Sequence, residues 1–517
     1  MTAHEALAPT ATPQHEERFD RATAVVCAVV VLGATMTVLD STVVIVAVNT
    51  LARDFGGSLA TIQWVITGYT LALATVIPLA GWASDRFGTK RIYLASIALF
   101  MVGSALSGLA WDAGSLIAFR ILQGFGGGLL MPVGMNLLVR AAGLDRIGRV
   151  LSIIVVPTMI GPIIGPILGG WLVGSFSWRW IFYINVPMGL AALLVALRVL
   201  PKDVPQPGQR LDWRGLVLLS PGLAVLIFGL ARSSSMGGFA AYQVCVPTAA
   251  GAVAIGFFVL HALRVSEPLI DVRLFADRTF AASSVTLMLV IASVFGGMLL
   301  FPLYLQVVRG ETPMRTGLLL VPQAIGAMVS MRTSGRLSDR MGAGRIVPVG
   351  LVLVLAAFLG LTQLRVDTSY WLLSGILLML GLGMGATLMP AFSAAIQTLQ
   401  MASVSRANTA LNILQQVSAS IGTAALSVIL VQALAGRLPV SAGGHVTVGA
   451  VGQVPAAVRH QWGPALASAF ADTFWWALAM VVAALVVALA LLPQRRGAAM
   501  PRDPDRTSAS ATLGEVP

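Results

Sequence analysis

Gly81-Trp-Ala-Ser-Asp85-Arg86-Phe-Gly88-Thr-Lys90-Arg91 is a short charged stretch between two long apolar runs. The pattern returns once, 254 residues later, as Gly335-Arg-Leu-Ser-Asp339-Arg340-Met-Gly342-Ala-Gly-Arg345. Both copies read G-x-x-S-D-R-x-G-x-x-R, each as a turn leading into the next apolar run. Taken singly, either copy is an ordinary topology-setting turn, since Gly, Asp and Arg are common at helix ends. Their recurrence at so long a period indicates two related halves around a central site.

The apolar runs dominate the chain. Of 517 residues, 57% are hydrophobic and only 10% are charged, against about 25% charged in a soluble domain. This composition specifies a polytopic membrane protein. The net charge of +12 does not mark a nucleic-acid partner, because the basic residues are spread through short loops. All 33 are Arg except Lys90 and Lys202. Cys27 and Cys245 lie in apolar runs, where two buried thiols form neither a disulfide framework nor a metal site. The five His are expected in loops or tails, and no nucleophile elbow, Walker A loop or metal cluster stands out. An enzyme is not expected, and neither is ATP as the driver.

Fourteen spans are expected, each long enough at about 18–27 residues to cross a bilayer. They lie near 22–48, 60–82, 91–110, 115–139, 149–173, 180–200, 214–232, 243–263, 280–305, 314–334, 346–364, 371–395, 405–433 and 466–492. With the N-terminus in the cytoplasm, inner segments hold 24 Lys and Arg and outer loops eight. That bias sets both termini inside a bacterial-type cytoplasmic membrane. The first charged motif follows the second span and the second follows the tenth. Two six-helix halves would put it after the eighth, so two spans, 214–232 and 243–263, have been inserted. The expected organisation is a disordered cytoplasmic N-terminus (1–21), a six-helix bundle (22–200), linkers with the two inserted helices (201–279), a second six-helix bundle (280–492) and a disordered cytoplasmic tail (493–517). The inserted spans contain few polar residues, which suits a lipid-facing place. Residues 435–465 read as the longest loop.

Polar residues inside spans are costly and functional by default. Asp40 sits in an apolar run, where a carboxyl can take and give a proton or serve as a wet structural group. Arg120 is the only Lys or Arg more than three residues inside the end of a span. It is a poor proton carrier, but it can pair with a carboxyl or with backbone carbonyls. Arg120, Gln123, Gly124, Gly127 and Met131 recur on one helical face, expected to line a central cavity. Asn408, Asn412, Gln415 and Gln416 form a polar stripe that cannot comfortably face lipid; it lines the cavity or bonds a neighbouring helix. Trp64, Tyr69, Phe301, Tyr304 and Gln306 are further cavity candidates. Gly161, Gly165 and Gly169 share a face that lets another helix pack closely, while Pro162 and Pro166 loosen the same helix.

These residues together resemble the major facilitator superfamily, in its fourteen-helix drug:proton antiporter branch. The two charged stretches resemble motif A, and Leu39-Asp40-Ser41-Thr42 with Ala47 resembles the branch's first-helix motif. Arg120-Ile-Leu-Gln123-Gly124 resembles motif B. Gly161-Pro162-Ile-Ile-Gly165-Pro166-Ile-Leu-Gly169-Gly170 resembles motif C, the antiporter signature. Trp178-Arg179-Trp180 through Asn185-Val-Pro187 resembles the helix 5–6 junction, and Pro268 to Phe275 the loop before the ninth span. Ile45 and Asn49 depart from the branch's usual Asn and Pro. The resemblance implies an all-α major facilitator fold and proton coupling through Asp40 and Arg120. It implies a conformational clasp at Gly81, Asp85, Arg86, Gly88, Arg91, Gly335, Asp339, Arg340 and Gly342. It implies helix packing at motif C and multidrug efflux conferring antibiotic resistance. The expected function is proton-driven antiport of lipophilic neutral or singly charged compounds, the lone deep carboxyl Asp40 serving one positive charge at most. Export of a lipid or cell-envelope metabolite, or proton-driven import, are the alternatives. The expected partners are the small-molecule substrate, protons and membrane lipid, acting on a monomer. No cofactor is expected, the proton gradient being the energy source.

Overall fold

In a membrane every backbone polar group must be satisfied within its own segment, and the uninterrupted apolar runs accordingly form helices. The computed structural model describes residues 21–56, 59–142, 161, 164–165, 167–200, 210–233, 236, 238–397, 399, 401–437 and 456–492. Among these, all regular structure is helical. The first half contains α1 (Arg21–Asp54), α2 (Leu59–Val76), α3 (Leu79–Phe87), α4 (Thr89–Gly108) and α5 (Ala113–Ala142). The helical residues 167–175 follow, then α6 (Trp180–Tyr183) and α7 (Asn185–Val199). The inserted pair is α8 (Trp213–Ser233) and α9 (Tyr242–Ala262). The second half contains α10 (Arg278–Val307), α11 (Pro313–Leu319), α12 (Val321–Met341), α13 (Ala343–Leu361), α14 (Tyr370–Gln397), α15 (Met401–Ala435) and α16 (Ala456–Leu491).

Twelve described stretches are long and apolar enough to cross a membrane, and the bent pair of α2 and α3, at 56°, makes a thirteenth. The first part of the expected span 149–173 lies outside the described residues, as do the expected disordered ends 1–20 and 493–517. The expected loop 435–465 is shorter than the sequence suggests, because α16 already begins at Ala456.

The repeated charged motif is not mainly a turn. Pro78 caps α3, and Gly81 to Phe87 are helical, so the only break is Gly88, at φ 92°. The second copy repeats this geometry: α12 runs through Met341 and breaks at Gly342, at φ 85°. Only glycine adopts such angles without strain. In each copy the glycine N–H donates to the serine carbonyl four residues back, Ser84 at 3.0 Å and Ser338 at 2.9 Å. Asp85 therefore lies in the last turn of α3, not at the start of α4. Bridging to a neighbouring helix end falls to Lys90, whose Nζ donates to the Leu197 carbonyl at 3.0 Å at the end of α7. Asp85 pairs with Arg140 of α5 at 3.2 Å. The side chains of Asp339 and Arg340 lie outside the described residues.

The internal repeat extends into the packing. A Cβ at Gly124 or Gly128 of α5 would stand 2.5 Å from the Tyr69 or Leu73 carbonyl oxygen of α2, and one at Gly126 would collide with Phe100 of α4. In the second half Gly381 and Gly385 of α14 meet the Gln323 and Ala327 carbonyls of α12 in the same way, and Gly383 meets Val354 of α13. Each half thus holds its fourth helix between its second and third through a Gly-x-Gly-x-Gly run.

The halves meet directly beside the first motif, with α15 packed on α3 and α5. There Asn408 Nδ2 donates to the Pro132 carbonyl at 3.1 Å and to Asn136 Oδ1 at 3.0 Å. The inserted hairpin is not merely peripheral. Its helix α8 packs against both α2 and α15, because Phe228 stacks on Trp64 at 5.6 Å while Leu226 and Leu230 cluster with Ala424. The partner helix α9 carries the exposed face, including Cys245, which was expected to be buried. His261, expected in a loop, sits in the last turn of α9 and faces Asp212 at 2.8 Å. Asp212 also accepts from the N–H groups of Gly215 and Leu269, fastening both ends of the hairpin.

Candidate functional site

Two features occupy opposite sides of α1. On one side is a buried polar cluster built on Asp40. Its carboxylate Oδ2 accepts from Arg120 at 2.6 Å, and Oδ1 accepts from Gln123 at 2.8 Å and Asn185 at 3.1 Å. Arg120 also donates to Gln123 Oε1 at 2.8 Å and, through Nε, to the Val65 carbonyl at 3.3 Å. Its guanidinium lies 4.2 Å from the centre of the Tyr69 ring. Asn185 donates as well to Ser104 Oγ at 3.0 Å, and Ser104 donates to the Phe182 carbonyl at 2.9 Å. Asp40 and Arg120 are each only 1% exposed. A buried charge persists only when paired and hydrogen-bonded, and this pair meets both conditions. It joins α1, α2, α4, α5 and α7. Two polar atoms beside it, Asn185 Oδ1 and the Tyr69 hydroxyl, are buried without a hydrogen-bond partner.

The other side of α1 faces a cavity of about 390 Å³. Val38, Ser41 and Thr42 of α1 line it with Met131 and Met135 of α5. The second half supplies Ser284 through Met298 of α10, Met331 of α12, Met384 to Phe392 of α14 and Leu411 to Gln415 of α15. The cavity lies between the halves, at the low end of small-molecule sites in volume.

The residues expected in the cavity divide between several places. Met131 and Asn412 line it, and so does Gln415 from the polar stripe. Gln123 and Tyr69 belong to the Asp40 cluster; along α5 Gln123 lies eight residues, about 12 Å, from Met131. Sharing a helical face does not mean sharing a depth. Trp64 faces the inserted hairpin. Phe301 and Tyr304 are buried in the second half, where the Tyr304 hydroxyl donates to the Arg365 carbonyl at 2.6 Å. Gln306 and Gln416 are half-buried outside the lining, and Asn408 bridges the halves. Asp40 itself does not line the cavity, so its carboxylate is not available to a cation bound there.

The motif C glycines pack on α1: a Cβ at Gly161 would strike Val38, at Gly165 Thr42, and at Gly169 it would lie 3.1 Å from Val43. Gly170 faces open space. Pro162 and Pro166 lie outside the described residues. In the Asp40 cluster, Asn185 and Ser104 are not among the residues expected from sequence, although an Asn within an apolar span was an available signal; in the cavity, Ser284 and every methionine but Met131 were likewise not expected.

Comparison with known proteins agrees with this architecture. A family model described as the Major Facilitator Superfamily matches residues 30–423. The chain is 45% identical over 413 residues to a Multidrug resistance protein B homolog of Mycobacterium tuberculosis, covering 79% of this chain and 76% of that protein. It is 33% identical over 408 residues to the Putative multidrug resistance protein MdtD of Salmonella paratyphi B, covering 78% and 85%. Among solved structures, the fold is similar to the proton:xylose symporter XylE, with a TM-score of 0.57 at 13% identity, covering 92% of this chain and 97% of that one. The human organic anion transporter MFSD10 gives a TM-score of 0.57 at 14% identity, covering 89% and 99%. With fold, repeat and sequence in agreement, this chain is a multi-pass membrane protein belonging to the Major Facilitator Superfamily.

Proposed function

We propose that this chain is a proton-coupled antiporter of the cytoplasmic membrane, with both termini inside. It exports lipophilic neutral or monocationic drugs or toxic compounds by alternating access, and the proton gradient is its energy source. The observation that carries this reading is the division of labour on α1, with Asp40 on one side and the cavity on the other.

An ionised Asp40 is held by Arg120, Gln123 and Asn185, which ties α1 to α5 and α7. Protonating the carboxyl removes the counter-charge of Arg120. Arg120 then leans on Gln123, the Val65 carbonyl and the Tyr69 ring, and α1 is freed to move against α5. Because Val38, Ser41 and Thr42 form part of the cavity wall, that movement changes what the cavity holds. Substrate and proton are thereby coupled through one helix without competing for one carboxylate, which satisfies the reciprocity that linkage requires. The contact of the halves at the motif end closes the proposed cytoplasmic side, with the bonds of Asn408 to Pro132 and Asn136 across it.

Everted membrane vesicles test this reading. Energised vesicles should accumulate a lipophilic dye, a protonophore should abolish the accumulation, and added dye should release protons from the vesicle lumen. Accumulation that survives the protonophore and requires ATP would contradict it.

A further inference from the structure

The cavity wall discriminates by charge more sharply than a general multidrug site needs to. Among its described lining residues there is no Asp, Glu, Lys, Arg or His. Seven of the twenty lining side chains are methionines, flexible thioethers that re-pack around varied apolar shapes. The carboxylate nearest in sequence to the wall, Asp40, is on the far side of α1 with both oxygens engaged. A cation entering this cavity would leave water without gaining a counter-charge, which is costly.

The cavity is also long. Along α10 it is lined by Ser284, Leu287, Met288, Ile291, Phe295 and Met298, one helical face extending over fourteen residues, or about 21 Å. A volume of about 390 Å³ spread over that length is narrow. Most polar groups on the wall are already used. Ser41 Oγ donates to the Val38 carbonyl at 2.8 Å, Thr42 Oγ1 donates to the same carbonyl at 3.0 Å, and Asn412 Nδ2 donates to the Asn408 carbonyl at 2.8 Å. Gln415 is exposed on the same wall, whereas Ser284 is 2% exposed and its hydroxyl is buried with no hydrogen-bond partner. A hydroxyl buried without a partner costs free energy that a ligand's hydrogen-bonding group recovers.

We infer that the cavity takes uncharged, elongated amphiphiles whose single hydroxyl, amide or ester group meets Ser284 and whose apolar body runs along α10 towards Met298. The inference rests on the cavity being the transport site proposed above, and it narrows that site's ligands to neutral ones.

Equilibrium binding to the full chain in lipid nanodiscs, with no gradient imposed, tests it independently of proton coupling. Three fluorescent probes share one aryl-decyl skeleton and end in a primary amide, a trimethylammonium or a methyl group; binding to protein-free nanodiscs is subtracted. The amide probe should bind roughly ten-fold tighter than the trimethylammonium probe. Ser284→Ala should weaken the amide probe by about five-fold and leave the methyl probe unchanged. Ser284→Asp should shift preference to the trimethylammonium probe. Equal or tighter binding of the trimethylammonium probe to the unaltered chain would overturn the inference and leave the transport reading standing. Probe binding that persists undiminished in Leu287→Trp, which fills the cavity, would place ligands elsewhere and overturn both.

Discussion

Replacing Asp40 with Asn keeps the shape of the side chain and removes its charge. The carboxylate now accepts three hydrogen bonds, from Arg120, Gln123 and Asn185. An amide can satisfy only one side of that arrangement. With its oxygen towards Arg120, its NH₂ meets the NH₂ groups of Gln123 and Asn185; flipped, it meets the guanidinium. In either orientation Arg120 stays 1% exposed without a counter-ion. Removing one partner of a buried ion pair costs roughly 3–5 kcal/mol. Adding Arg120→Gln removes the stranded charge, so the double variant should be more stable than Asp40→Asn alone. The two substitutions should therefore couple by roughly 3 kcal/mol. The assay is equilibrium unfolding of the four purified forms in mixed detergent, at matched lipid content. None of the three variants should drive uphill transport. Effects of Asp40→Asn and Arg120→Gln that add to within about 0.5 kcal/mol would refute the pair as the organising interaction of this half.

Three further outcomes follow from other contacts. Asn136→Ala removes one of the two bonds Asn408 makes across the halves; at about 1 kcal/mol it should raise the population open at the motif end about five-fold, read from spin-label distances between α5 and α15. Gly381→Ala drives a Cβ onto the Gln323 carbonyl, whereas Gly170→Ala meets nothing within 4 Å; the first should lose about 1–3 kcal/mol and fold poorly, and the second should match the parent in yield and transport. Trp64→Ala removes the stack with Phe228 at 5.6 Å; losing about 0.5–1.5 kcal/mol beyond area burial, it should loosen α8 from α2, seen as faster hydrogen exchange in Trp213–Ser233.

Much of this architecture was legible because membrane folding is governed by length and polarity. Apolar runs marked the helices, and the repeated G-x-x-S-D-R-x-G marked the halves. Asp40 and Arg120 stood out since charges inside spans are expensive. The remainder depended on tertiary convergence. The cavity methionines come from four helices, at spacings that no single periodicity links. Gln123 and Met131 share a face of α5, but only Met131 reaches the cavity. The bend at Pro78 made a helix of what read as a loop. In sequence Phe228 resembles any lipid-facing residue, and only the fold sets Trp64 against it.

Substrate-induced proton release from the purified chain tests the central claim most directly. In weakly buffered detergent solution with a pH indicator, adding a transported compound to the parent protein should release protons, because reciprocal linkage makes bound substrate lower the affinity for the coupled proton. Asp40→Asn should bind the same compound and release none. Equal proton release from the parent and the Asp40→Asn variant would contradict Asp40 as the coupling carboxyl.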